Sequence, residues 1–155
     1  MKLDETDIKL INLLQEDCMQ PIKSLSKKLN LSIAPIHERL KKIEKNGVIK
    51  QYVAIVDLAI VNKPLISFCS VSIYKHNTDK FAAFENAIKA MDEVLECYVT
   101  SGNSDYLLKI VSSDMDEYQN FLVNKLAKLD IISNINSQFV LKPVKSKTSI
   151  KLRSK

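Results

Sequence analysis

Apolar residues in the first fifty positions recur at helical spacing and then switch to alternation. Between residues 4 and 17, Ile8, Ile11 and Leu14 form one stripe, with Leu10 and Leu13 beside it. Asp4, Glu5 and Asp7 occupy the first turn, where the helix dipole favours anions. After a break at Met19-Gln20-Pro21, a short helix is predicted over 22–29. It buries Ile22, Leu25 and Leu29 and accepts Pro21 at its opening. Asn30 suits a left-handed helix stop, and Leu31 can plug the space between helices. Ser32 is a good N-cap for a third helix, which tolerates Pro35 in its first turn. Ile36, Leu40 and Ile43 then fall at i, i+4 and i+7, and Gly47 is the stop. Three helices with a tight turn between the second and third make a helix-turn-helix unit.

From Val48 the period becomes two, which predicts an extended connector over 48–56 and a domain boundary at 62–64. The second half reads β-α-β-β-α-β. A strand over 65–74 sets Leu65, Cys69, Val71 and Ile73 on one face. A helix over 79–91, capped by Thr78, carries Phe81, Phe84, Ile88 and Met91. In a strand over 94–101, Leu95, Cys97 and Val99 alternate with Glu96, Tyr98 and Thr100. A strand over 105–111 returns, and Asp114 caps a helix striped by Tyr118, Leu122, Leu126 and Leu129. A strand over 131–141 closes the domain. This order predicts an α+β chain whose second half is ferredoxin-like, with two helices on one face of a four-stranded antiparallel sheet. The other face, with Phe68 and Tyr98, needs a cover, and self-association is the economical one. The expected organisation is a helix-turn-helix domain at 1–50, a connector at 51–63, the α+β domain at 64–141 and a tail at 142–155.

Charge sharpens this picture because it is segregated. The chain carries +5 overall. Residues 22–50 hold eight basic and two acidic groups, and 142–155 hold six basic and no acidic ones, whereas 1–21 and 64–141 are net acidic. Two basic blocks on an acidic body suit a polyanion binder. Acids in the first ten residues argue against a secretory leader, and no apolar run is long enough to span a bilayer, so a cytoplasmic protein without membrane contact is expected. Cys18, Cys69 and Cys97 lack metal spacing and read as free, reduced thiols. Two histidines, His37 and His76, and two glycines leave no catalytic or phosphate-loop motif, so neither an enzyme, a metal site nor a cofactor is expected.

With Ile36, Leu40 and Ile43 inward, the third helix presents Ser32, Ile33, Ala34, His37, Glu38 and Lys41 outward. Its N-terminal part is the portion that meets base edges, which makes Ser32, Ile33, Ala34 and His37 the base-reading candidates. Lys23, Lys27, Lys28, Lys41, Lys42 and Lys45 are placed for phosphates. Arg39 has two readings, a phosphate contact or an internal salt bridge to an acid of the first helix. A three-helix unit binding only protein is the alternative to the whole surface. In the second domain, the turn 100–106 pairs backbone donors around Gly102 with the carboxylate of Asp105, which suits a zwitterion such as an amino acid. The stretch from Thr100 to Tyr106 is the candidate, against the alternative of a plain hairpin whose Asp caps the next strand.

Leu25-Ser26-Lys27-Lys28-Leu29-Asn30-Leu31-Ser32, Pro35, Glu38-Arg39-Leu40, Ile43-Glu44 and Asn46-Gly47-Val48-Ile49 resemble the leucine-responsive regulator/AsnC (Lrp/AsnC, feast/famine) family. So does Ser101-Gly102 with Asp105-Tyr106-Leu107-Leu108-Lys109, and the resemblance spans residues 3–144. It implies a winged-type helix-turn-helix joined to a ferredoxin-like regulation-of-amino-acid-metabolism (RAM) domain. It further implies homodimers assembling to octamers or similar discs, double-stranded DNA as partner, and an amino-acid effector near the glycine loop. Carried over by position, the resemblance makes Ser101, Gly102, Asn103, Asp105 and Tyr106 the effector candidates, with Met115, Gln138, Phe139 and Val140 nearby. Asn30 stands where the family commonly has glycine, Asn103 where an acid is common, and Gln138 where an aromatic or aliphatic residue is usual. The expected function is a sequence-specific, nucleoid-associated transcription regulator of amino-acid or nitrogen metabolism. A nucleoid-type architectural protein without an effector is the alternative.

Overall fold

A computed structural model describes residues 2–74 and 78–153, and divides the chain into two compact units, Met1–Ala54 with Val144–Lys155, and Ile55–Pro143. In the first unit, α1 (Glu5–Glu16) is opened by a capping box. The Asp4 carboxylate accepts the Asp7 N–H at 2.8 Å, and the Asp7 carboxylate accepts the Asp4 N–H at 3.2 Å. Helix α2 (Ile22–Leu29) follows Pro21 and stops at Asn30, whose φ of 52° and ψ of 47° are left-handed. Helix α3 (Ile33–Lys45) starts after Ser32, which makes no side-chain cap hydrogen bond, and ends before Gly47 at φ +66°. Leu10, Ile11, Leu14, Leu25, Ile36 and Ile43 form the core. Ile8 is only half-buried, whereas Asp7 is fully buried, because the guanidinium of Arg39 meets that carboxylate. After α3 the chain is extended and exposed, with no strand partner among the described residues of the unit.

The second unit begins at Ile55 rather than near residue 64, because the turn at 57–63 closes on itself and Lys63 ion-pairs with Glu117. Strand β1 (Leu65–Ile73), α4 (Thr78–Lys89), β2 (Val94–Val99), β3 (Tyr106–Ser112), α5 (Met115–Asn124) and β4 (Ile132–Phe139) follow in the expected order, with a 3-10 turn at Leu126–Lys128. The antiparallel sheet runs β2-β3-β1-β4. Both helices cover one face, where Cys69, Val71, Ile73, Phe84, Ile88, Tyr106, Leu108, Ile110, Tyr118 and Phe121 pack together. Phe121, outside the expected stripe, is buried beside the half-buried Leu122. In β2 the register shifts between Val94 and Glu96, and the expected face of Leu95, Cys97 and Val99 is exposed throughout. Asp114 caps α5, accepting the Glu117 N–H at 2.8 Å. The expected cap on Thr78 and the histidine His76 fall outside the described side chains.

On the uncovered face, Phe68, Tyr98 and Gln138 are exposed, and Lys109 pairs with Glu96 across strands at 2.8 Å. The tail, expected as a separate basic segment, belongs to the first unit, with Leu152 against its core.

Candidate functional site

The two faces of α3 differ sharply. Ile36 and Ile43 are fully buried and Leu40 half-buried, while Ser32, Ile33, Ala34, His37, Glu38, Lys41, Lys42 and Lys45 are exposed. Lys23, Lys27 and Lys28 of α2 are exposed too, and Lys28 donates to Gln20 Oε1 at 2.9 Å. The left-handed Asn30 turns the chain between the two helices, and the Ser26 hydroxyl donates to the Leu31 carbonyl within that turn. Of the two readings of Arg39, the structure forms the internal one. Its Nη1 reaches Asp4 and Asp7 at 2.5 Å each, with 28% of the side chain exposed. The Asp7 N–H and the Arg39 guanidinium hold the Asp4 carboxyl below its ordinary range. Arg39 therefore ties α3 to the start of α1.

The glycine loop closes as a hairpin. The Thr100 N–H donates to the Asp105 carbonyl at 2.9 Å, and the Thr100 hydroxyl donates to the Ser104 carbonyl at 2.8 Å. Ser101, Gly102 and Asn103 are exposed, and Gly102 takes φ +149°, which disfavours any side chain there. Asp105 is half-buried, and its carboxylate accepts the Ile73 N–H at 2.7 Å. A cleft of about 370 Å³ lies here, lined by Ser72, Ile73, Gly102, Asn103, Ser104, Asp105 and Ser133. Ser72 and Ser133 had no signal in the sequence, because β-sheet register brings them to the loop.

Other expected effector residues are not brought to this cleft. Tyr106 is buried on the helix-covered face, because strand alternation turns it away from Asp105. Its ring lies 4.5 Å from that of Phe84, and its hydroxyl donates to Glu85 at 3.0 Å. Burial, with the Glu85 contact, raises its pKa. Gln138 pairs with Phe68, and the Val140 N–H donates to Ile66, whereas the cleft sits at Ser72 and Ile73. At ~3.3 Å per residue that separation is roughly 13–23 Å along β1. Phe139 packs edge-on against Tyr118 at 4.9 Å, and Met115 is half exposed at the start of α5.

Comparison with known proteins decides the lineage. Residues 3–50 match a winged helix-turn-helix DNA-binding family, and residues 66–150 match the Lrp/AsnC ligand-binding domain. The leucine-responsive regulatory protein of Haemophilus influenzae is 36% identical over 97% of this chain and 91% of its own length. The chain belongs to the Lrp/AsnC family of transcription regulators. The Bkd operon transcriptional regulator of Pseudomonas aeruginosa is 33% identical, over 92% of this chain and 94% of that one. A Neisseria meningitidis transcriptional regulator solved as a complex with L-Met superposes with a TM-score of 0.93, at 36% identity and 96% coverage of both chains. An AsnC-family regulator from Agrobacterium tumefaciens gives 0.91 at 33% identity and the same coverage. The regulator thus carries a DNA-binding winged helix-turn-helix ahead of a ferredoxin-like, ligand-binding RAM domain. No helix among the described residues is long and apolar enough to cross a membrane.

Proposed function

We propose that this regulator reads double-stranded DNA with the exposed side of α3. Ser32, Ile33, Ala34 and His37 meet base edges, and Lys23, Lys27, Lys28, Lys41 and Lys42 meet phosphates. The observation that carries this is the partition of α3, whose aliphatic stripe is buried while its lysine-bearing side is open. Arg39 serves as a tie between helices in this reading. The effector is an amino acid received at the 101–105 loop, and L-Met is the first probe because a relative was solved with it. Residues 138–140 lie too far along β1 from this loop to touch the same ligand within one chain, and Met115 opens α5 outside the cleft lining. A site joining them needs a second copy. Self-association also suits the apolar connector, where Val53, Ile55, Val56 and Ile60 are 57–80% exposed. In this reading the protein works in the cytoplasm on the nucleoid, as a homodimer or larger ring, regulates amino-acid or nitrogen metabolism, and catalyses nothing.

Gel shifts across a salt series test the DNA surface. Lys41→Ala with Lys42→Ala should weaken binding to every sequence alike and flatten the slope of log affinity against log salt by about 1.8. His37→Ala should change sequence preference by roughly 1–3 kcal/mol at one base pair. An unchanged slope in the double variant would remove α3 from the interface.

A further inference from the structure

Residues 144–153 return to the helical unit, and the grip on them is backbone-specific. Asn12 Nδ2 donates to the Leu152 carbonyl and Asn12 Oδ1 accepts the Leu152 N–H, both at 3.0 Å. Near one turn further along α1, Gln15 repeats the pattern on Ile150, at 2.9 Å in both directions. A primary amide offers a donor and an acceptor in the layout of a peptide group, so each side chain imitates the edge of a strand. Positions i and i+3 of a helix thereby meet positions i and i+2 of an extended chain, which lie on one side of it. Leu152 adds a half-buried side chain to the core of the unit.

The captured segment is strongly cationic. Lys145, Lys147, Lys151 and Arg153 are all exposed, and no acid accompanies them. Residues 2–54 carry ten basic and seven acidic side chains, a net +3, so docking of 144–153 brings the unit to +7. Lys145, Lys147 and Lys151 gather around a cleft of about 430 Å³, and Glu16 is the acid among its lining residues. A positive segment on a positive unit is held against repulsion. A duplex screens both at once, so DNA binding and docking are thermodynamically linked, and such linkage is reciprocal.

We propose that the C-terminal segment is a working part of the DNA-binding unit. Asn12 and Gln15 capture it as an extended strand, its cations strengthen binding to duplex, and bound duplex tightens the capture. Two full-length variants separate charge from capture. One replaces the four cations (Lys145→Ser, Lys147→Ser, Lys151→Ser and Arg153→Ser) and keeps the amide pairs. The other is Asn12→Leu with Gln15→Leu, which keeps every cation. In gel shifts on one duplex between roughly 50 and 200 mM salt, the charge variant should flatten the salt slope by about 0.9 for every phosphate it no longer neutralises, and by at least that amount in total. Its affinity at the low-salt end should fall roughly three- to tenfold. The capture variant should lose a comparable part of the affinity although its charge is intact. Hydrogen exchange at the Ile150 and Leu152 amides should be slow in the free protein, slower with duplex, and fast in the capture variant. An unaltered slope in the charge variant, or faster exchange when duplex is added, would overturn the proposal, the latter by making the tail a strap that DNA displaces. Failure of the unmodified protein to retain any duplex would instead overturn the DNA reading itself, and the tail's role with it.

Discussion

The helix proposed to face DNA and the loop proposed to receive the effector are built on opposite plans. Every candidate on α3 belongs to one element, so helical spacing alone sorts it into buried Ile36 and Ile43 against exposed His37, Lys41 and Lys42. The effector candidates come from a hairpin, a helix start and the far end of β4, and residues 138–140 lie roughly 13–23 Å along β1 from the cleft at Ser72 and Ile73. The DNA candidates on α2 and α3 all lie within one protomer. A pocket assembled across strands depends on register.

The strongest way to break this contrast is to damage one unit and read both activities. Ile36→Ala removes a fully buried side chain of the helical core and should cost roughly 2–5 kcal/mol in denaturant unfolding. Duplex retention should be lost while L-Met still shifts the melting of the RAM domain. Loss of both responses would show that the two plans are not separable. Arg39→Met should come next. It strips the fully buried Asp7 of its cation, at roughly 1–3 kcal/mol, toward the lower end because Arg39 keeps 28% exposure. DNA affinity should fall at all sequences without a changed salt slope, and a flattened slope would restore Arg39 as a phosphate contact.

Tyr106→Phe sharpens the effector side. Losing the hydroxyl that Glu85 accepts should cost about 1 kcal/mol of stability and leave L-Met affinity unchanged, whereas Asp105→Asn should weaken L-Met binding in calorimetry. Equal losses from both would place Tyr106 back at the ligand. The smallest effect concerns pH. Lys63 and the Ser113 N–H hold Glu117 down at about 2, against an ordinary 4.5. Ionised Glu117 therefore favours the folded state above its unfolded pKa, and that contribution fades as pH falls toward 2. Glu117→Gln should flatten the dependence of melting temperature on pH between about 5 and 2, and parallel curves would show the pair to be idle.

Much of the molecule was legible beforehand for a local reason. Asn30 in the left-handed region, Gly47 at a helix end, Asp114 as a cap and the alternation of Cys69, Val71 and Ile73 each follow from rules spanning a few residues. The misplaced features all involve partners far apart in sequence. Tyr106 shares a motif with Asp105, yet adjacent strand residues face opposite ways. The alternation of Leu95, Cys97 and Val99 meets a register shift at the start of β2, and all three side chains stay exposed. Asn12 and Gln15 carry no local signal, and nothing near them in sequence announces Ile150 and Leu152.

By itself, the order of apolar and polar residues determined the helix-turn-helix, the β-α-β-β-α-β order and the outward lysines of α3, because periodicity is a property of neighbouring positions. Only the tertiary structure decided that Arg39 is bound to Asp4 and Asp7, that Ser72 and Ser133 line the cleft at the glycine loop, and that the basic tail docks on α1. Those outcomes depend on which distant groups can satisfy a buried charge or an unpaired backbone amide, and the chain must close on itself before that competition is settled.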